Sequence, residues 1–176
     1  MKVFKFAPLL LLFAFTSCAT VQVVTDYDKE ANFGQYSTYA FFKPGIDKAQ
    51  ISDLDKKRIL RAIETQLTAK GMTKSEVPFL LVSIFTKESE RVDVYNNYGY
   101  GWGWSPWYYG GNYSTVSTTP EGTLYIDLID AKTNSLVWQG MGKAALIIND
   151  MEKKEARINE IVQEILAQYP PGSEKK

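Results

Sequence analysis

Histidine is absent from this 176-residue chain, and cysteine occurs once, at position 18. Without histidine, the chain lacks the commonest general base and the commonest metal ligand in proteins. A single cysteine excludes an intramolecular disulfide and a thiolate zinc cluster. We therefore expect no metal, no cofactor and no enzymatic activity.

An excess of charge of either sign is also missing, since 20 basic side chains balance 20 acidic ones. The chain contains no long basic run, so it lacks the electrostatic footprint of a nucleic-acid-binding protein. Hydrophobic residues make up 45% of the sequence and charged residues 23%. This composition and the length predict one packed globular domain that has no nucleic-acid partner.

The amino-terminal apolar run is too short to cross a membrane. Lys2 and Lys5 precede apolar residues over 6–15, whereas a spanning helix needs about 20 such residues. A positive start and a short apolar stretch are typical of a signal peptide. The sequence Phe15-Thr16-Ser17-Cys18 comes next. It resembles the bacterial lipobox, in which small residues precede a cysteine, although a phenylalanine stands where the pattern prefers leucine.

The lipobox resemblance implies a lipid anchor at Cys18. It implies a diacylglyceryl group on the Cys18 sulfur, cleavage before that residue, and acylation of the new amino terminus, with palmitate as the expected chain. Ala19 stands where an aspartate would imply retention in the inner membrane. We therefore expect a protein that is lipid-anchored in the outer membrane and faces the periplasm. An ordinary secretory peptide with an incidental cysteine is the alternative.

These features divide the chain into four parts. A signal peptide covers 1–17, and a lipidated anchor with a short tether covers 18–20. The folded domain covers 21–170, and the tail covers 171–176. The membrane, reached through the lipid anchor, is thus the first expected partner.

Hydrophobic periodicity predicts five strands and two helices in the folded domain. The strands are 21–28, 37–42, 78–95 and the two arms of a hairpin over 121–148, and the helices are 53–70 and a segment that begins near 149. The order is ββαβββα. It predicts an α+β fold, a two-layer sandwich in which a mostly antiparallel sheet carries two amphipathic helices on one face.

Local signals set the expected ends of these elements. Ser52 is placed to cap the first helix, and Gly71 to end it. Glu152 is placed for a capping box with Asn149 at the second helix, and Lys43-Pro44-Gly45 is a turn signal. The charged side chains of the first helix are expected to form a solvated face: Lys56, Lys57, Arg58, Arg61 and Glu64.

Two stretches and the closing helix resemble the DUF4136 lipoprotein family. The first stretch has the form VxxDYDxxxxFxxYxTYAF, with Val24, Asp26, Tyr27, Asp28, Phe33, Tyr36, Thr38, Tyr39 and Phe42. The second runs from Gly122 to Gly142 and reads GTLxIDLIDxxTxxLVWxGxG. The resemblance implies a bacterial envelope lipoprotein without an assigned biochemical activity, and the family offers no catalytic residues to transfer.

Four carboxylates are the candidate catalytic acids in this sequence. Asp26 and Asp28 share one strand face, and Asp127 and Asp130 lie near the end of the hairpin. A glycosidase needs two carboxyl groups about 5 to 10 Å apart across a cleft. Turn chemistry and a solvated strand face are the alternatives, and they are favoured. Trp138 lies in a predicted strand and is interpreted as a packing residue rather than a ligand platform.

The segment 95–113 has an unusual composition. Nine of its nineteen residues are aromatic, five are glycine and none is charged. Glycine at this density argues against a regular helix or strand, so we predict a long aromatic and glycine-rich loop over 95–120. Long loops of tyrosine, tryptophan and glycine are typical of binding surfaces. Its candidate contact residues are Trp102, Trp104, Trp107 and Tyr109.

Three roles remain open for this loop. It could fold back over the bare face of the sheet, bind another envelope protein, or contact glycan or the membrane interface. We predict a non-enzymatic lipoprotein that acts as a binding or assembly module in the cell envelope. The alternatives are a lipoprotein that binds glycan or peptidoglycan through the aromatic loop and, less favoured, a carboxylate-based hydrolase.

Overall fold

The computed structural model describes residues 21–96 and 114–172, with side chains given except at 93–96 and 114–116. The described strands are β1 (Gln22–Tyr27), β2 (Thr38–Phe41), β3 (Thr73–Lys74), β4 (Leu80–Asn96), β5 (Ser114–Asp130) and β6 (Leu136–Ala145). The described α-helices are α1 (Lys43–Asp47), α2 (Asp53–Ala69) and α3 (Met151–Ala167). A short 3-10 turn at Phe33–Gln35 precedes β2.

The six strands form one open sheet in the order β1-β6-β5-β4-β2-β3. The pairs β1–β6, β6–β5 and β5–β4 are antiparallel. The pairs β4–β2 and β2–β3 are parallel, because the chain crosses over through α2 before it returns to the sheet. The predicted α+β class with a mostly antiparallel sheet is confirmed, with a parallel edge in addition.

Side chains of the central strands alternate between a buried and a more exposed face of the sheet. Val82, Ile84, Ile126 and Leu128 are at most 2% exposed and point towards the helices. Helices α2 and α3 cover this face with buried isoleucine, leucine and valine side chains at helical spacing. The opposite face, hereafter the open face, carries exposed side chains that include Val24 at 59%.

Two glycines of β6 bring α3 close to the sheet. A Cβ atom added at Gly140 would overlap Ile165 of α3 and the ring of Trp138, and one at Gly142 would lie 2.7 Å from Ile165 Cδ1. Because the hydrogen of glycine leaves room for the isoleucine, the helix packs directly on the backbone of the strand. The G-x-G spacing of the second family-like stretch is therefore a packing feature.

An aromatic cluster joins the first family-like stretch to the carboxyl-terminal end of the domain. Phe33 packs edge-on against Tyr27, Tyr36 and Tyr169, with ring centroids about 6 Å apart. Tyr169 in turn packs edge-on against Trp138 at 5.5 Å. Edge-to-face pairs of this kind add stability beyond the area they bury. The interpretation of Trp138 as a packing residue is supported, since its side chain is 1% exposed.

Most local end signals act as predicted. Ser52 Oγ accepts a hydrogen bond from the Asp55 amide, and Gly71 has the left-handed φ of 82° that ends α2. The cap of α3, however, is Asp150 and not Asn149, because Asp150 accepts hydrogen bonds from two amides of the first turn. The predicted turn at 43–45 instead opens the short helix α1, which buries Ile46.

The hairpin of β4 and β5 is longer than predicted. Strand β5 begins at Ser114, ahead of the predicted start near Glu121, so 114–120 belong to a strand rather than to the predicted loop. Strand β6 pairs with β5 only from Glu121 onward. The hairpin therefore extends beyond the sheet as a two-stranded ribbon towards residues 97–113, which lie outside the described part of the chain.

Candidate functional site

The residues with the strongest functional signals in the sequence lie outside the described part of the chain. These are the lipidation site Cys18 and the four aromatic contact residues Trp102, Trp104, Trp107 and Tyr109. They stay predictions. The described residues test the carboxylates and reveal one cavity that the sequence did not indicate.

The four candidate acids occupy separate local settings. Asp130 closes the β5–β6 turn by accepting hydrogen bonds from the amides of Lys132 and Thr133, and it also accepts one from Tyr36 Oη at 2.9 Å. These hydrogen bonds lower the pKa of the Asp130 carboxyl, the Thr133 amide contributing most. Asp28 accepts a hydrogen bond from the amide of Glu30. Asp130 thus has the turn chemistry that the sequence favoured, whereas Asp28, expected on a strand face, lies just after β1 and accepts a turn hydrogen bond instead.

The other two acids lie in one row across the open face. Asp26 is opposite Gln139, and Gln139 is opposite Asp127. Gln139 Nε2 donates to Asp127 Oδ1 at 2.7 Å. Burial raises the pKa of Asp127, and this hydrogen bond partly offsets the rise. Asp26 is exposed and accepts a hydrogen bond from the amide of Tyr27.

The structure does not place the four candidate acids together in one cleft. A shallow depression of about 280 Å³ is lined by Asp26 and Asp28 but not by Asp127 or Asp130. Ser83, opposite Asp127 in β4, is 8% exposed and lies against Gly45 of α1. Within residues 21–96 and 114–172, no group of three or more acidic, cysteine or histidine side chains is placed to hold a metal ion.

A larger cavity of about 370 Å³ lies on the helix side of the sheet, between the amino-terminal ends of α2 and α3. Its floor is formed by Gly122 and Leu124 of β5, and its walls by Ile59 of α2 and Ile158 of α3. The segment after β6 closes one side through Leu146. Cavities of about 300 to 1,000 Å³ with a mostly apolar lining are typical of small-ligand sites.

An ion-pair cluster joins the two helices at the wall of this cavity. Asp55 accepts from Lys154 Nζ at 2.6 Å and from Arg58 Nη1 at 2.7 Å. Burial raises the pKa of Asp55, but the hydrogen bonds from Lys154, Ser52 and Arg58 outweigh it and leave this pKa lowered. The predicted solvated face of α2 is therefore wrong for Arg58 and also for Lys56, since each of these side chains is only 16% exposed.

We expect Asp55→Ala to destabilise the domain by about 1.5 to 3 kcal/mol, since hydrogen bonds to charged groups contribute about this much. Urea unfolding measures the change. Because the folded pKa of Asp55 is lowered, its contribution is complete above the unfolded pKa of about 3.9 and is lost as the pH falls through the folded value. The difference between wild type and variant should shrink below about pH 4.

Asp53→Ala is the matched control for this change. Asp53 lies in the same first turn of α2, but its side chain is 92% exposed, and its Oδ1 atom is 3.8 Å from the Nζ atom of Lys56, whose side chain is 16% exposed. A long ion pair with a solvent-exposed carboxylate contributes about 0 to 1 kcal/mol. Equal losses in the two variants would show that the Asp55 cluster does not hold the helices together.

The cavity also contains a buried hydroxyl. Thr86 lies on the helix side of β4, opposite Leu124, and lines the cavity. Its Oγ1 atom is buried and has no hydrogen-bond partner among the described residues. A hydroxyl in this position, beside the aliphatic part of the lining, could bind a polar atom of a ligand.

Sequence reasoning missed this cavity for a physical reason. Its walls come from five separate segments of the chain, and no single segment has a motif. The available signal was the apolar run Leu146-Ile147-Ile148 just before the α3 cap, which was interpreted as the end of a strand. Strand β6 ends at Ala145 instead, and the run lies beside the cavity.

A family model for a domain of unknown function, DUF4136, matches residues 23–171. The chain belongs to the DUF4136 family. The match includes both of the stretches on which the resemblance was based and all described helices and strands except the first residue of β1. No curated protein matches the chain.

A solved structure shares the fold of this DUF4136 domain at low identity. A PDZ domain protein from Parabacteroides distasonis is 18% identical with a TM-score of 0.51, and the match covers 86% of this chain and 36% of that one. This chain therefore spans about a third of that protein's length. Two further matches have TM-scores below 0.5.

The first of these is the PelC dodecamer from Paraburkholderia phytofirmans, 11% identical with a TM-score of 0.45, covering 84% of this chain and 96% of that one. The second is a minor lipoprotein from Acinetobacter baumannii, 11% identical with a TM-score of 0.37, covering 76% and 88%. In the part of the DUF4136 chain that the structure describes, no helix has the length and apolar character needed to span a bilayer.

Proposed function

We propose that this DUF4136 protein is an envelope lipoprotein that is anchored through Cys18 and acts by binding rather than by catalysis. The observation that carries the proposal is the position of the single cysteine, directly after a positive start and a short apolar run. A mature chain anchored there would place the folded domain, which begins at β1, within a few residues of the membrane.

The proposed location is the outer membrane, with the domain facing the periplasm. It is supported by Ala19 in the position after the cysteine. The proposed non-enzymatic character is supported by the absence of histidine from the sequence and by the local hydrogen bonds that hold Asp28, Asp130 and Asp127. A hydrolase would need two of these carboxyl groups across one cleft.

The proposed contact segment is the aromatic stretch between β4 and β5. Its rings supply large contact area at low side-chain entropy cost, and the two-stranded ribbon leads the chain to it from the body of the domain. The candidate partner is another envelope protein, with Trp102, Trp104, Trp107 and Tyr109 as contact residues. A glycan or peptidoglycan ligand is the second candidate, because aromatic rings stack on sugar faces.

Photo-crosslinking in cells tests this proposal. A photoreactive amino acid at Trp104 of the full chain is activated in the native envelope, and adducts are identified by mass spectrometry. We expect one dominant protein adduct, because tryptophan and tyrosine carry most binding energy at protein interfaces. A glycan adduct would instead identify a polysaccharide as the binding partner of this segment.

Two controls make the result specific. Replacing 98–111 with a short glycine and serine loop should abolish the adduct, while the same probe at Lys57, an exposed position on α2, should not produce it. Crosslinks from Trp104 only to residues of its own sheet would contradict a partner-binding role for the segment.

A further inference from the structure

The 370 Å³ cavity has a lining that suits an uncharged ligand. Three of its charged lining residues are in ion pairs: Lys154 with Asp55 at 2.6 Å, and Arg157 with Glu160, which lies outside the lining, at 2.7 Å. The other two, Lys87 and Glu88 of β4, have opposite charges, so the lining has little excess charge for an anionic ligand. Most of the remaining lining residues are aliphatic, so an occupant would bury an apolar group there.

Exposed apolar side chains surround the same region. Leu146 is 38% exposed and Ile148 64%, both in the short segment that joins β6 to α3, and Met151, the first residue of α3, is 53% exposed. Leu146 and Ile148 also line the cavity. Contiguous exposed apolar residues on a soluble domain mark a contact with a protein, a ligand or a membrane.

The register of the sheet places the start of the domain beside this cavity. Val23 of β1 is opposite Gly142, Gly142 is opposite Leu124, and Leu124 is opposite Thr86. Leu124 and Thr86 line the cavity. The chain therefore enters the sheet at the cavity end, with Gln22 paired to Lys143 only two residues before the end of β6.

The tether from a lipidated Cys18 is short. Gln22 is four residue steps after Cys18 in the sequence, and an extended chain spans at most about 3.6 Å per residue, or about 14 Å in total. An anchor of this reach holds the cavity end of the domain close to the lipid headgroups. The exposed apolar side chains at 146, 148 and 151 lie at that same end.

We propose that the cavity takes up one acyl chain of a membrane amphiphile from the leaflet that holds the anchor. The inference rests on the proposed lipidation of Cys18, which brings the cavity to the membrane. The aliphatic lining binds the chain, and the Thr86 hydroxyl provides one site for an ester or hydroxyl oxygen. The volume is at the lower end of the range for ligand sites, so it suits a single chain.

Acyl-chain photolabelling tests this assignment. The full, lipidated protein is reconstituted into phosphatidylethanolamine vesicles that contain a phosphatidylethanolamine with a diazirine on one acyl chain. After irradiation, labelled residues are located by mass spectrometry. We expect adducts on Leu124 and Ile161, which are 7% and 9% exposed and line the cavity. Surface contact with the bilayer would label Ile148 or Met151 but not these two.

Filling the cavity gives the second readout. Ile158→Trp places an indole ring in the wall of the cavity and should reduce labelling of Leu124 and Ile161 about tenfold. A tenfold change in a binding equilibrium corresponds to about 1.4 kcal/mol. Val24→Trp adds a ring of the same size to the open face and should leave labelling unchanged. Leu146→Trp replaces Ile158→Trp if thermal melting shows that the latter unfolds the domain.

Vesicle flotation on the same samples separates this inference from the function on which it rests. Protein that fails to float would contradict the lipid anchor. Protein that floats but carries label only on exposed residues, or equal label in Ile158→Trp and wild type, would contradict acyl-chain uptake and leave the anchor intact.

Discussion

Cys18→Ala is expected to move most of the protein from the membrane fraction to the soluble periplasmic fraction. A single acyl chain binds membranes only marginally, and each buried methylene contributes about 0.8 kcal/mol, so stable attachment needs two or more chains. The proposed modification of Cys18 would provide these chains through one residue, so replacing Cys18 would remove all of them.

Two readouts are needed because a variant without the cysteine can also escape cleavage and keep its apolar leader. Metabolic labelling with an alkyne-palmitate reports lipidation directly, and it should be lost in Cys18→Ala and kept in Ser17→Ala. Carbonate-washed membrane pellets report attachment. Cys18→Ala protein of mature length that stays in the washed pellet would contradict the anchor.

The elements that the sequence predicted well are those with local signals. Helix α2 spans Asp53–Ala69, within one residue of the prediction, because its cap and its terminal glycine act within a single turn. The apolar periodicity around Ile126 predicted the first arm of a hairpin, and β5 includes it, with Ile126 buried and Asp127 on the other face. Burial on one face fixes the register of such strands.

The elements that the sequence missed depend on contacts between distant residues. The stretch over 114–120 is rich in serine and threonine and contains Pro120, so it was predicted as loop, yet pairing with β4 makes it strand. Pro44 and Gly45 are turn residues by themselves, but burial of Ile46 against the core stabilises the helix α1. The cavity could not be predicted, because its walls meet only in the folded chain.

The two family-like stretches have a structural explanation. Tyr27, Phe33 and Tyr36 of the first stretch lie in one aromatic cluster, and Trp138 of the second is joined to it through Tyr169. Asp130 accepts the hydroxyl hydrogen bond of Tyr36 and closes its own turn. The residues of the two family-like stretches thus join the start of the domain to its carboxyl-terminal end. The proposed binding residues are not among them.

Trp138→Ala is expected to destabilise the domain by about 3 to 5 kcal/mol, the range for removing a large aromatic side chain from a packed core. Its ring contacts Tyr169, and its side chain is 1% exposed. The loss would be a large share of a total stability of about 5 to 15 kcal/mol. Urea unfolding measures it as a lower midpoint at an unchanged slope.

Trp138→Phe separates packing from hydrogen bonding at the same position. The Trp138 Nε1 atom is buried and has no hydrogen-bond partner among the described residues, so phenylalanine loses ring volume but no hydrogen bond and should cost clearly less than alanine. Val24→Ala on the open face, at 59% exposure, should change stability by only about 0.5 kcal/mol. If Trp138→Ala were equally mild, the tryptophan would not be a core residue, and its role as a ligand platform would have to be reconsidered.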